Sequence, residues 1–126
     1  MDDIEKSFVE VEKKIAALFN KKDIKGILKI YRDDFMGFSS TKDTMIKGLP
    51  ELKKTFLYYL KQGDKVKYSI KNVNACIYGE TVLTTFLWTI EIKKGNKKTS
   101  VNGRASHVFI LTDDWYIVHE HYSKSN

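Results

Sequence analysis

The apolar residues of this chain change their period once, near Lys65, and no Pro-, Gly- or Ser-rich segment separates the two halves. Before that point they recur every three or four residues, the spacing that gathers one face of a helix. After it they alternate, the spacing that gathers one face of a strand. A chain of 126 residues with this pattern is expected to be one α+β domain spanning 1–126, with three helices first and a bent antiparallel sheet wrapped over them. Its 42% hydrophobic and 13% aromatic content is enough for one sizeable core.

In the first half, Ile4, Phe8, Val11, Ile15 and Leu18 form a stripe behind Asp2 and Asp3, acidic residues that suit the positive end of a helix dipole. The stripe predicts a helix ending near Asn20. Asp23 caps a second, short helix with an inner face of Ile24, Ile27, Leu28 and Tyr31. Asp33-Asp34 then ends that helix before a short strand at Phe35-Met36-Gly37-Phe38. Pro50 in a first turn, an apolar face of Leu52, Phe56, Tyr59 and Leu60, and a stop at Gly63 define a third helix.

The second half alternates through Val66, Tyr68 and Ile70, then Val73, Ala75 and Ile77, and continues in long strands over 81–92, 99–111 and 115–122. Two-residue turns at Gly79-Glu80, Gly95-Asn96 and Asp113-Asp114 make a meander and set its register. One face then carries Val82, Phe86, Trp88, Ala105, His107, Phe109, Leu111, Tyr116, Val118, Glu120 and Tyr122. In this pairing Trp88 lies opposite Gly103, while Phe86 and Tyr122 lie opposite Ala105, so each large ring has a small neighbour and room is left for a hollow. His107 lies opposite Glu120, two ionisable groups on an apolar surface that must bond each other or a ligand. The other face carries Leu83, Leu87, Val108, Ile110, Ile117, His119 and His121. It is too apolar for water, and a second copy of the chain is the simplest cover.

Charge excludes several classes. The chain has 22 basic and 16 acidic residues, net +6, but all the basic residues except Arg32 and Arg104 are lysine, dispersed along the sequence. Bidentate readers of phosphate and bases are therefore scarce, and no nucleic-acid partner is expected. The densest basic run, Lys93 to Lys98, reads as a solvated hairpin tip. No stretch approaches the ~20 apolar residues of a membrane span, and Met1 leads into Asp2 and Asp3 rather than an apolar leader. The single cysteine, Cys76, forms no intrachain disulfide, lacks a base beside it and suits a reducing compartment, so a cytoplasmic location is expected. His119 and His121 share one side of a strand without a third ligand nearby, so no metal is assigned. No GxGxxG, P-loop, G-x-S-x-G or H-E-x-x-H pattern occurs, and no cofactor is assigned.

The last strands, Gly103-Arg104-Ala105-Ser106-His107-Val108-Phe109 and Trp115-Tyr116-Ile117-Val118-His119-Glu120-His121-Tyr122-Ser123, resemble the closing hairpin of the SnoaL-like branch of the nuclear transport factor 2-like superfamily. Ketosteroid isomerase relatives and the kinase II association domain belong to that superfamily. Weaker likenesses run through the first helix, Tyr31 to Phe35, and Lys47-Gly48. The resemblance implies a cone-shaped α+β fold, a sheet-mediated dimer and a pocket on the concave face. It also sets His107 at a position that carries an anion-contacting basic residue in the kinase association domain.

Three functions fit such a scaffold. The preferred one is a pocket for a small amphipathic or aromatic molecule, lined by Phe86, Trp88, His107, Glu120, Tyr122 and Tyr31. The second is a cofactor-independent isomerase, dehydratase or cyclase with His107 and Glu120 as the catalytic candidates; no complete isomerase dyad maps onto the chain. The third is an assembly module that uses the outer face.

Overall fold

The computed structural model describes residues 2–125. Met1, read above as the start of an acidic rather than an apolar leader, lies outside them, as does Asn126. Helix α1 (Asp3–Asn20) starts where Asp2 accepts a bond from the Glu5 amide at 2.8 Å. Helix α2 (Ile24–Leu28) starts where Asp23 accepts from the Gly26 amide at 2.9 Å. Both caps satisfy amides that a helix start leaves without partners. Then follow β1 (Tyr31–Phe38), β2 (Ile46–Lys47), α3 (Gly48–Leu60), β3 (Lys65–Tyr78), β4 (Thr81–Lys94), β5 (Lys97–Leu111) and β6 (Trp115–Lys124). Among the described residues no helix is long and apolar enough to cross a membrane.

The architecture is α+β as expected, but the sheet is mixed rather than purely antiparallel. Its order is β2-β1-β6-β5-β4-β3, and β1 runs parallel to β6 while every other pair is antiparallel. A meander reading misses this because β1 and β6 lie far apart in sequence, and a parallel neighbour leaves no local turn to announce it. Tyr31 consequently belongs to a strand, not to the inner face of α2.

Two irregularities change the expected faces. In β3 the ladder shifts between Lys71 and Asn74, with Asn72 at φ 56, and this bulge explains why the alternation changes phase between Ile70 and Val73. The turn into β6 is Thr112-Asp113-Asp114, one residue longer than expected, so Leu111 pairs with Trp115 and Phe109 with Ile117. A bulge at Val118 then restores the expected register, with Val108 opposite His119 and His107 opposite Glu120. Ile117 is thereby turned from the outer face into the core, where it is fully buried, and Tyr116 and Val118 leave the inner face. Leu111 is exposed at its strand end rather than buried.

The core lies between α1, α3 and the concave face. Phe8, Ile15, Phe109, Phe35 and Leu52 are buried in it, and Leu28 and Phe56 pack at its edge. A fully buried side chain of this size contributes roughly 1.5–3 kcal/mol. The buried stripe of α1 is Phe8, Glu12, Ile15, Ala16 and Phe19, rotated from the expected one, and Ile4 is exposed.

Candidate functional site

Glu12 lies in the middle of the buried face of α1 and is 1% exposed. A carboxylate there must be bonded or it would cost several kcal/mol. The sheet supplies the partners. Thr84 of β4 donates its hydroxyl to Glu12 Oε2 at 2.6 Å, and His107 Nδ1 lies 2.7 Å from Oε2 and 2.9 Å from Oε1. The other ring nitrogen, Nε2, lies 3.0 Å from Glu120 Oε1 and 3.2 Å from the Tyr122 hydroxyl. Tyr31 donates to the same Glu120 oxygen at 2.5 Å. The expected cross-strand pair of His107 and Glu120 therefore exists, with Glu12 and Tyr31 added from outside the hairpin.

His107 is completely buried, and burial by itself would depress its basicity. Glu12 and then Glu120 outweigh that effect and raise its pKa to about 10. The ring is thus an imidazolium donating from both nitrogens, and the Tyr122 hydroxyl shares the Nε2 proton as an acceptor. Tyr122 then donates onward to the Tyr68 hydroxyl, 3.0 Å away. Asn20 grips the backbone of Tyr68 through both its amide and its carbonyl, each at 2.8 Å. Burial, first of all, and the nearby carboxylates hold Tyr31 and Tyr122 well above ordinary phenol acidity, so their hydroxyls stay protonated donors.

Next to this network is a cavity of about 50 Å³ between α1, α3 and the concave face. Ile15 and Phe19 of α1, Phe56 and Tyr59 of α3, and Tyr68, Trp88, Ile90 and Tyr122 of the sheet form most of its wall. Glu120 is its one carboxylate among the described residues, and Ser40 and Thr55, both half-buried, border it near the surface. Ser40 and Tyr59 are joined by a 2.7 Å hydrogen bond across that border. Trp88 Nε1 is buried with no acceptor among the described residues.

Of the six residues expected to line a pocket, Trp88, Glu120 and Tyr122 do so. Phe86, His107 and Tyr31 are buried behind the wall. The space opposite Gly103 is no hollow either, because the Trp88 ring lies against that glycine so closely that a Cβ would collide with it. Sequence reasoning missed Glu12, Tyr68 and Thr84. Glu12 did leave a signal, a carboxylate four residues after Phe8 and three before Ile15 on one helical face. Among the described residues no cluster of three or more His, Cys, Asp or Glu is arranged to hold a metal ion.

The fold has many solved relatives, among them several that are distant in sequence. The CaMKII hub of S. rosetta superposes with a TM-score of 0.85 at 18% identity, covering 99% of each chain. An NTF2-like protein of unknown function from Pseudomonas putida KT2440 gives 0.82 at 18% identity over 95% of this chain and 85% of its own. A provisionally assigned dehydratase of the NTF2-like family from Streptomyces avermitilis gives 0.77 at 14% identity over 91% of each chain. At such identities the likeness concerns the fold. No curated protein sequence matches the chain. The family profile described as the SnoaL-like domain matches residues 10–125, from the turn of α1 that carries Glu12 to the end of β6. With its helices, curved mixed sheet and concave-face cavity in place, the chain belongs to the SnoaL-like domain family.

Proposed function

We propose that the chain, one domain over its 1–126 span, is a binding protein for a small amphipathic molecule held in the cavity between α1, α3 and the sheet. The supporting observation is an aromatic-walled cavity bordered by Glu120, whose Oε2 accepts no hydrogen bond among the described residues. A largely apolar pocket with a polar group free to bond is the common form of a small-molecule site, and a guest with a donor group would use that oxygen. Size limits the guest. Since about 10–15 Å³ of such space accommodates one water-sized group, the cavity takes roughly three to five non-hydrogen atoms. A whole aromatic molecule is too large, so the amphipathic half of the expected ligand class is retained.

The decisive measurement is an NMR titration of the tryptophan indole N–H resonances with butan-1-ol. Saturable shifts of the Trp88 signal are expected, and they should vanish in Thr55→Trp, which fills the cavity border. Equal shifts in both proteins would show that binding occurs elsewhere and would end this reading.

For the partner, we propose a second copy of the chain docked on the outer face. Leu83, Val108 and Ile110 are half-exposed there and Leu87 is 36% exposed, with no helix among the described residues covering them. Ile117 is withdrawn from this surface, and His119 stays on it with a 2.9 Å hydrogen bond from its Nδ1 to the Met36 carbonyl. The exposed single thiol, Cys76, suits the reducing cytoplasm proposed as its location.

A further inference from the structure

The chemistry of the cavity wall narrows the guest further. Among the described residues, Glu120 is the only formally charged side chain bordering the cavity, and no lysine or arginine joins it although the chain carries net +6. Its Oε1 is saturated by Tyr31 and His107, whereas Oε2 accepts no hydrogen bond among the described residues. Behind it, one histidine bridges two acidic side chains, Glu12 and Glu120, so the buried cluster holds more acidic groups than basic ones. Both ring N–H groups of that histidine are consumed, which leaves nothing on His107 for an anionic guest. The rings of Phe56, Tyr59, Tyr68, Trp88 and Tyr122 complete the surround, and an aromatic ring attracts a cation that reaches its face.

We infer that the cavity selects a small primary ammonium ion, its head donating to Glu120 Oε2 and its short alkyl chain lying among the aromatic rings toward Ser40 and Thr55. Three N–H donors suit the free carboxylate oxygen and the hydroxyl lone pairs of Tyr68 and Tyr122, which line the same cavity. An alkylammonium of four non-hydrogen atoms falls within the size limit derived above. This inference rests on the binding role proposed for the cavity and adds the charge of the guest to it.

The test compares n-propylammonium with propan-1-ol, a neutral molecule of nearly the same shape, at pH 7, where the amine is charged. Both are titrated against the Trp88 indole resonance, assigned with the aid of Trp115→Phe. The ammonium ion is expected to bind about tenfold more tightly than the alcohol, a difference of about 1.4 kcal/mol. In Glu120→Gln that preference should fall to about unity, with the alcohol still bound. Equal or tighter binding of the alcohol to the unaltered protein would overturn the ammonium inference and leave the binding role standing. Silence of Trp88 toward both compounds would overturn both. The comparison in the unaltered protein decides the matter even if Glu120→Gln does not fold. A preference that persists in a folded Glu120→Gln also refutes the inference.

Discussion

His107 and His119 lie on adjoining strands, one on each face of the same sheet, and their surroundings differ in every respect that matters for a titratable group. His107 has no exposed surface and is bonded by two carboxylates, which outweigh burial, raise its pKa to about 10 and keep it charged at neutral pH. His119 is half-exposed and donates to one backbone carbonyl, Met36, on the neighbouring β1. The inner face thus compensates each polar group with designated partners, because water is not there to do it. The outer face leaves its groups to water or to another molecule. Identical side chains on adjoining strands become a fixed structural cation in one case and an adaptable surface group in the other.

Breaking the inner arrangement should have the largest effect. His107→Ala leaves Glu12 and Glu120 facing each other without a cation, and a loss of about 3–5 kcal/mol is expected in urea unfolding. His119→Ala removes one partly exposed hydrogen bond and should cost about 1 kcal/mol or less. Comparable losses for the two substitutions would erase the distinction between the faces.

Alkaline pH should act on the same group without mutation. The folded pKa of His107 is raised to about 10 from an ordinary 6.5, so its contribution is complete below 6.5 and is lost as pH rises through 10. Stability should fall by a few kcal/mol across that window. The fall should be absent in a folded His107→Asn protein, as followed by denaturant midpoints at a series of pH values. A flat profile for the unaltered protein would contradict the buried imidazolium. Tyr31, Tyr68 and Tyr122, all pushed well above ordinary phenols mainly by burial, add further loss only beyond the ordinary value of 10.0.

A smaller effect comes from steric crowding on the inner face. In Gly103→Ala the new Cβ would meet the Ser123 carbonyl oxygen and the Trp88 ring, and a cost of roughly 1–3 kcal/mol is expected. Gly37 is similarly constrained, with the Glu120 carbonyl oxygen 2.6 Å from a Cβ built there. A melting temperature unchanged by Gly103→Ala would show that Trp88 yields easily and is not a fixed cavity wall.

The smallest effect on stability belongs to the outer face. Leu87→Lys should change the unfolding free energy of the chain by about 0.5 kcal/mol or less, because the side chain is already 36% exposed. Sedimentation should nevertheless report a shift from dimer to monomer. If the unaltered chain is itself monomeric at micromolar concentration, the proposed partner is wrong.

Much of this was legible beforehand where the determinants are local. The β4–β5 hairpin matched its expected register, with Phe86 opposite Ala105 and Trp88 opposite Gly103, because Gly95-Asn96 makes a two-residue turn with Gly95 at φ 59. The β5–β6 hairpin was readable only in part. Its turn holds three residues and Val118 bulges, and two one-residue shifts cancel at His107 and Glu120 but not at Ile117. The catalytic candidates thus came out paired as expected, while Ile117 changed faces.

By themselves, the residues determined the helix caps at Asp2 and Asp23, the switch from helical to alternating spacing, and the long hairpins. Each of these depends on groups close in sequence or on a period that neighbours share. Only the tertiary structure decided that β1 runs parallel to β6, which brings Tyr31 to Glu120 across 89 residues. It also decided that α1 turns Glu12 onto a histidine 95 residues away, and that the opening lies on the Trp88 and Glu120 side rather than at His107. The physical reason is that a buried charge states what it needs without stating where the partner is. The packing of α1 and α3 on a sheet whose curvature depends on bulges selects the partner.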